Sequence, residues 1–405
     1  AILHHVQNLL DSQVPPIELD AALVSQARVV LDAYPPANHG MVILQERADV
    51  KALPNWRLTD VTGPLAPYSL TRRSGRPLSE PISGMYTSTA FFATVLPAIG
   101  EIAHTIVSDD WVRFPTTSAM PQATRVTQLT RDITDLYVND YIRNWQGLIS
   151  DVTLSGFDSL QAELAVLQAA LGPPSPLATY LAAVVKETTL VPPEPAADVA
   201  KLAGAVGAGA LASTATSVLQ PGTARLRALG QSITAHFSAF HAFVSGSPSP
   251  LDQVLQSMGQ LRALLGPAAS MGASDPAQIA ELTSGPAFSQ ILGQLKLNTL
   301  TAPPALADSI VALVRQTSSI ANAGVKADLN TAWKSQVLPF CQMAINGKFP
   351  FSASTTDVTL ADFSRMFGPD GLMDKFFDRQ LKPFVDTLST PWKPITNTAT
   401  RTDIT

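Results

Sequence analysis

A mainly α-helical fold follows from three features of the sequence. Apolar residues recur at three- and four-residue steps over long stretches, notably Phe91 to Ile106 and Val126 to Leu148, as a helix with one buried face requires. Apolar residues make up 46% of the chain and charged residues 15%, a balance that suits helices covered by their neighbours. The stripes are separated by helix-stopping pairs such as Gly172-Pro173-Pro174 and Val191-Pro192-Pro193. At 405 residues, two or three packed units are expected, arranged as elongated multi-helix bundles.

Taken in order, residues 1–34 predict two helices, broken by Pro15-Pro16 and stopped by Pro35-Pro36. Ala1 leads into a short helical pattern with His4 and His5, not into a secretory signal. Residues 54–80 change character: Trp56-Arg57-Leu58-Thr59 and Tyr68-Ser69-Leu70-Thr71 are β-prone and flank Gly63-Pro64, which predicts a small β-hairpin near residues 54–80. From Thr87 the pattern is helical, and Pro97 is expected to kink or divide that helix. The stripe Val126, Leu129, Ile133, Tyr137, Tyr141, Trp145 and Leu148 predicts the longest strut. Further helices are expected at 157–171, 176–188, 223–244, 249–265, 275–283, 286–295, 303–320 and 325–345. Residues 192–222, with Pro192, Pro193, Pro195 and Ala/Gly/Ser/Thr repetition, read as a flexible linker. The uncharged run Leu202 to Ala224 lies mostly inside it and reads as loop or weak helix, since small residues and Pro221 do not suit a membrane span. The domains expected are 1–120, an N-terminal helical region with the small β element; 121–191, a long-helix region; 192–222, the linker; and 223–405, a C-terminal helical region.

The C-terminal region carries the densest signal. Thr359 and Asp362 have capping-box spacing, Gly368-Pro369 ends a helix, and Gly368-Pro369-Asp370-Gly371 sets a turn. Leu360, Phe363 and Phe367, then Met373, Phe376, Phe377, Leu381, Phe384 and Leu388, give each of two short helices an aromatic face to bury. The expected product is an aromatic wedge.

Composition and spacing also exclude chemistry. A net charge of −5 and a pI near 5.7 give no basic field, so nucleic acid is not an expected partner. The one cysteine, Cys341, excludes an internal disulfide and a thiolate zinc site, and reads as a small hydrophobe beside Phe340. The only Gly-Lys pair, Gly347-Lys348, lacks the upstream glycine of a phosphate loop and runs into Phe349. No histidine precedes glutamate as in a zincin, and the five-residue step from His236 to His241 turns them about 140° apart on a helix. No Gly-x-Ser-x-Gly elbow is present, and Asp109-Asp110 read as a solvated helix end. None of the eight glutamates precedes a serine, unlike the Glu-Ser pair of α-rich lytic transglycosylases. No catalytic residue, cofactor or metal is therefore expected.

Four ordered blocks resemble the IcmF/TssM family of secretion-system inner-membrane proteins, in their periplasmic region. The first runs from Ser74-Gly75-Arg76-Pro77-Leu78-Ser79 through Ile82-Ser83-Gly84-Met85-Tyr86-Thr87 and Val95-Leu96-Pro97 to Asp110-Trp111-Val112. The second is Leu136-Tyr137-Val138-Asn139-Asp140-Tyr141-Ile142 with Trp145, then Ser175-Pro176-Leu177 and Glu187-Thr188. The third is Leu329-Asn330 with Trp333, leading to Pro339-Phe340-Cys341. The fourth holds Asp362, Phe363, Phe367, Gly368, Gly371, Phe376, Phe377 and Trp392. The chain departs from the family at Ser83, where proline is usual, at Ala90, often glycine, and at Lys348-Phe349, commonly Arg-Tyr.

The resemblance implies a structural role: a non-enzymatic periplasmic scaffold of the type VI secretion system membrane complex, in the periplasmic portion of a bacterial inner-membrane protein. It implies as partners other copies of the chain, a DotU/TssL-like inner-membrane protein and a TssJ-like outer-membrane lipoprotein. In the family, that lipoprotein docks on a β-rich C-terminal domain, most of which is expected to be missing here because the chain ends soon after Trp392. Alternatives are a helical module that recruits a cell-wall enzyme or cargo through 192–222, a component of the related type IV branch, and, last, a peptidoglycan lytic enzyme.

Overall fold

The computed structural model describes residues 20–109, 120–191, 228–270, 282–283 and 285–394. Trp111, the linker predicted at 192–222 and most of the helix predicted at 275–283 lie outside them. The fold is mainly α. Two compact units are each assembled from separate stretches: Ala1–Trp56, Ile82–Asn144 and Leu190–Ile233 form the first, and Arg57–Pro81, Trp145–Thr189 and Thr234–Thr405 the second.

In the first unit, α1 (Ala21–Asp32) is capped by Asp20, whose carboxylate accepts from the Ala22 and Leu23 amides at 2.9 and 3.1 Å. Next, α2 (Pro36–Glu46) packs on α3 (Leu96–Asp109) through Gly40, Met41 and Leu44. A Cβ on Gly40 would sit 2.4 Å from Ile133 Cδ1, which explains a glycine inside a buried helix face. The longest helix here is α4 (Gln122–Asp151); its residues through Asn144 belong to this unit. Its stripe Leu129, Ile133, Tyr137 and Tyr141 is buried, as the periodicity requires. Among the described residues, Ser88–Asp109 is the one stretch long and apolar enough to cross a membrane. Its Phe91, Val95, Ile99, Ile102 and Ile106 are buried core positions.

The second unit contains α5 (Leu160–Leu171), α6 (Pro176–Thr188), α7 (Ser238–Val244), α8 (Pro250–Ser270), α9 (Pro286–Asn298) and α10 (Pro304–Gln336). The start signals act as the sequence suggests: Ser159 and Ser175 accept from the Ala162 and Ala178 amides at 3.3 and 3.2 Å. Ser249 and Asp252 form a reciprocal capping box at 2.8 and 3.1 Å. In packing, α8 lies against both α5 and α9. The last α-helices of the unit are α11 (Leu360–Phe367) and α12 (Leu372–Phe376), and a short antiparallel pair, Val385–Asp386 with Lys393–Pro394, follows them.

Two expectations are corrected. Residues 54–80 do not form a hairpin. Leu58–Thr62 and Ala66–Ser69 are short helices, Trp56 makes an isolated antiparallel bridge to Ile82, and strand β1 (Leu70–Arg72) pairs with β2 (Val152–Leu154) far along the chain. Pairing Leu70 with Leu154 and Arg72 with Val152 buries Leu70 and Val152 and leaves Thr71 exposed. The helices expected at 303–320 and 325–345 are joined into α10 as far as Gln336, because Gly324 continues the helix and is itself buried; Val337 then breaks it, and Leu338–Phe340 and a π turn at Cys341–Ile345 follow separately.

Proline is accommodated by local widening. A π turn at Phe91–Val95 closes Leu96 N–H onto the Phe91 carbonyl one residue before Pro97, and helical backbone continues on both sides, so the proline does not divide the helix. A second π turn, Phe377–Leu381, closes Lys382 N–H onto the Phe377 carbonyl just before Pro383. A third, Cys341–Ile345, follows Pro339.

Candidate functional site

The residues of the sequence motifs gather into three assemblies, one in the first unit and two in the second. In the first, the turn Gly84–Tyr86 meets α4. The Gly84 amide donates to Asn55 Oδ1 at 3.1 Å, and a Cβ on Gly84 would lie 2.5 Å from the Pro54 carbonyl oxygen. Only glycine fits that approach without moving backbone. Thr87 then caps the next helical turn, donating to the Gly84 carbonyl at 2.8 Å and accepting from the Ala90 amide at 3.4 Å.

Behind this turn, four rings form a buried knot. Tyr86 stacks on Tyr137 at 5.8 Å and meets Tyr141 edge-on at 6.2 Å. Phe91 approaches Tyr137 and Tyr141, each at 5.7 Å. The Tyr137 hydroxyl donates to the Met85 carbonyl at 2.5 Å, so the knot leaves no phenol oxygen idle at that point. Burial raises the Tyr86 and Tyr137 pKa values and keeps both phenols neutral. Trp145, later on α4, is fully buried in the second unit.

The second assembly fastens the loop after β1. Arg72 reaches Asp151 at 2.8 Å through Nε and Glu80 at 2.7 Å through Nη1. Ser74 donates both its amide and its hydroxyl to the Asp151 carboxylate, each at 2.7 Å. Burial works to raise the Asp151 pKa, but these Ser74 bonds and the Arg72 charge outweigh it and hold the carboxyl below its ordinary value. The block Ser74 to Glu80 is thus a clasp, and its key partner Asp151 was not among the residues singled out in the sequence. Spacing alone gives no hint of a bond spanning so much chain.

The third assembly is the C-terminal wedge. Its core holds Val337, Phe340, Ala344, Ile345, Met366 and Phe376, with Trp333 and Cys341 partly buried against it. Trp333 meets Phe376 edge-on at 5.3 Å. Arg365 lies over the Phe340 ring at 4.6 Å. Thr359 accepts from the Asp362 amide at 3.1 Å. The turn forms as its residues suggest: Gly371 N–H bonds to the Gly368 carbonyl at 2.8 Å, with Asp370 at a φ of 60°. A Cβ on Gly371 would come within 2.7 Å of that same carbonyl.

The wedge does not bury both aromatic faces. Phe363 and Phe367 are 41% exposed and Leu360 81%, and the two rings stack outward with Phe351, 50% exposed, at 6.3 and 5.5 Å. Phe377 is half-buried and stacks on the exposed Trp392 at 5.0 Å. The wedge is therefore locked by Met366, Phe376 and Trp333, and Phe351, Phe363 and Phe367 form a surface platform.

Two further groups escaped the sequence reading. Glu163 on α5 is fully buried; its Oε1 accepts from the Thr317 hydroxyl of α10, and its Oε2 has no partner. Burial pushes its pKa up to about 7. His241 pairs with the Thr188 hydroxyl at 2.8 Å, and burial lowers its pKa. His236 is exposed beside Gln146. Among the described residues, no group of three or more His, Cys, Asp or Glu side chains could hold a metal ion.

Comparison with known proteins adds the family. Residues 1–189 match the model of an IcmF-related family described by intracellular multiplication and human macrophage-killing, and residues 325–404 match the helical domain of the type VI secretion protein IcmF. Over 97% of its length the chain is 30% identical to the type VI secretion system component TssM1 of Pseudomonas aeruginosa, and it spans 36% of that relative. Among solved structures, a chain of a type VI secretion system membrane core complex shares the fold, with a TM-score of 0.55 at 16% identity over 95% of this chain and 67% of that one. With both matched regions holding the motif blocks whose packing is described above, the chain belongs to the IcmF/TssM family.

Proposed function

We propose that the chain is a non-enzymatic scaffold segment of a type VI secretion system membrane complex, placed in the periplasm between an inner-membrane anchor and an outer-membrane lipoprotein. The observation that carries this reading is the outward stack of Phe351, Phe363 and Phe367 within the region matched to the IcmF helical domain. An aromatic platform of that kind, on a wedge already closed by Phe376, is a contact surface and not leftover core. Other copies of the chain are its proposed partners. A DotU/TssL-like inner-membrane protein is a further proposed partner, as is a TssJ-like lipoprotein through the β-rich C-terminal domain of the family. The motif residues support a mechanical role, since Gly84, Tyr86, Tyr137 and Tyr141 hold a turn against a long helix.

The test places Phe363→Asp and Phe367→Asp in the full-length protein. Complex assembly and secretion are expected to fail while the purified chain melts as wild type does. Normal assembly in both variants, or in a deletion of residues 347–392, would remove the scaffold reading, as would peptidoglycan cleavage by the purified protein.

A further inference from the structure

A cleft of about 340 Å³ opens in the second unit between the β1–β2 ribbon and the first half of α10. Its volume falls within the range of about 300–1,000 Å³ typical of small-ligand sites. The strand alternation builds one wall: Leu70 and Val152 turn into the core, while Thr71, Arg73 and Ser155 line the cleft at every second residue. From α10 come Asp308 and Gln316, and Phe157 supplies an apolar surface.

The charges in this cleft cancel. Arg73 is tethered by the Ala305 carbonyl at 3.1 Å and the Ser309 hydroxyl at 3.3 Å, with Asp308 at 3.5 Å. The Thr153 and Ser309 hydroxyls pair with each other at 2.9 Å, and three other neutral groups are unspent. The half-buried Gln316 amide and the Thr71 and Ser155 hydroxyls make no side-chain hydrogen bond among the described residues. An amide and two hydroxyls each offer a donor and an acceptor, which is the complement of a peptide group. Repetition of Thr71 and Arg73, and of Thr153 and Ser155, at the two-residue period also matches the repeat of an extended peptide. A sugar would call for a broader aromatic surface than the single Phe157 ring.

We propose that this cleft binds a short, extended, uncharged peptide segment, with Gln316 pairing one of its amide groups and Phe157 carrying an apolar side chain. The inference is independent of the scaffold reading. Its test uses the full 405-residue chain and saturation-transfer NMR with a set of acetylated tripeptide amides built from Ala, Ser and Val, and with a chitin trisaccharide as the sugar control. Binding of tripeptides is expected, weakened about tenfold in Gln316→Ala with unchanged melting. Ser155→Ala provides the same readout should Gln316→Ala not fold. The proposal is overturned if no tripeptide binds at millimolar concentration, if Gln316→Ala and Ser155→Ala bind as wild type does, or if the trisaccharide displaces the peptide.

Discussion

At the scale of single residues, two positions carry most of the argument. Gly84 sits where any side chain would strike the Pro54 carbonyl, so Gly84→Ala is expected to destabilise the first unit by about 1–3 kcal/mol. Chemical denaturation checks it, and an unchanged midpoint would mean that the turn relaxes freely. Glu163 has the opposite character, a carboxyl whose neutral form the fold prefers. Its pKa of about 7, against an ordinary 4.5, means that the folded state holds a proton that the unfolded chain releases between those values. Stability should fall as pH rises from 4.5 to about 7 and then level off, a loss of about 3 kcal/mol. Glu163→Gln should match wild type at pH 5 and exceed it at pH 8, and parallel curves for the two proteins would refute the assignment. Gly84 was legible in the sequence as part of a motif. Glu163 was not, because nothing in its neighbours distinguishes a buried glutamate from one on the wet face of an apolar helix.

At the scale of elements, α4 was legible almost to its ends, since seven large apolar residues keep step along it and its buried stripe confirms the period. The region 54–80 was misread for a physical reason. β-prone residues announce a strand but not its partner, and Leu70–Arg72 finds Val152–Leu154 instead of its neighbour across Gly63-Pro64. The join within α10 was missed because Ala321, Asn322, Ala323 and Gly324 weaken the pattern, while the structure buries Ala321 and Gly324 in the same helix. The wedge shows the limit of periodicity most plainly. It groups Phe363 with Phe367 correctly but does not say whether protein or solvent lies opposite. The energetic split follows: Phe376→Ala should cost about 3–5 kcal/mol, because it removes a buried ring from contact with Trp333. Phe363→Ala should change thermal stability far less. Equal losses in the two variants would show that the platform is core after all.

At the scale of the whole molecule, the ordered blocks of the sequence correspond to places where distant segments are tied. The turn at Gly84 meets Tyr137 and Tyr141, the loop after Arg72 closes on Asp151, and Trp333 reaches Phe376. What the blocks could not convey was which stretches share a compact body, because that depends on returns of the chain that leave no local trace. Residues 57–81 leave the first unit to join helices that arrive much later, and residues 190–191 and 228–233 return to it.

This interleaving governs how the chain can be made and cut. A ribosome delivering it from the N-terminus cannot complete the first unit until residue 233 has emerged, and by then two pieces of the second have waited without the helices that cover them. Truncation after Thr189 should therefore give not a tidy domain but a chain with Leu70, Val152 and Tyr180 stripped of their cover, prone to aggregate on expression. A soluble, cooperatively melting 1–189 fragment would contradict this. Neither unit can be finished before parts of the other have been synthesised, so chaperone dependence during synthesis, more than any single contact, is what the threading predicts.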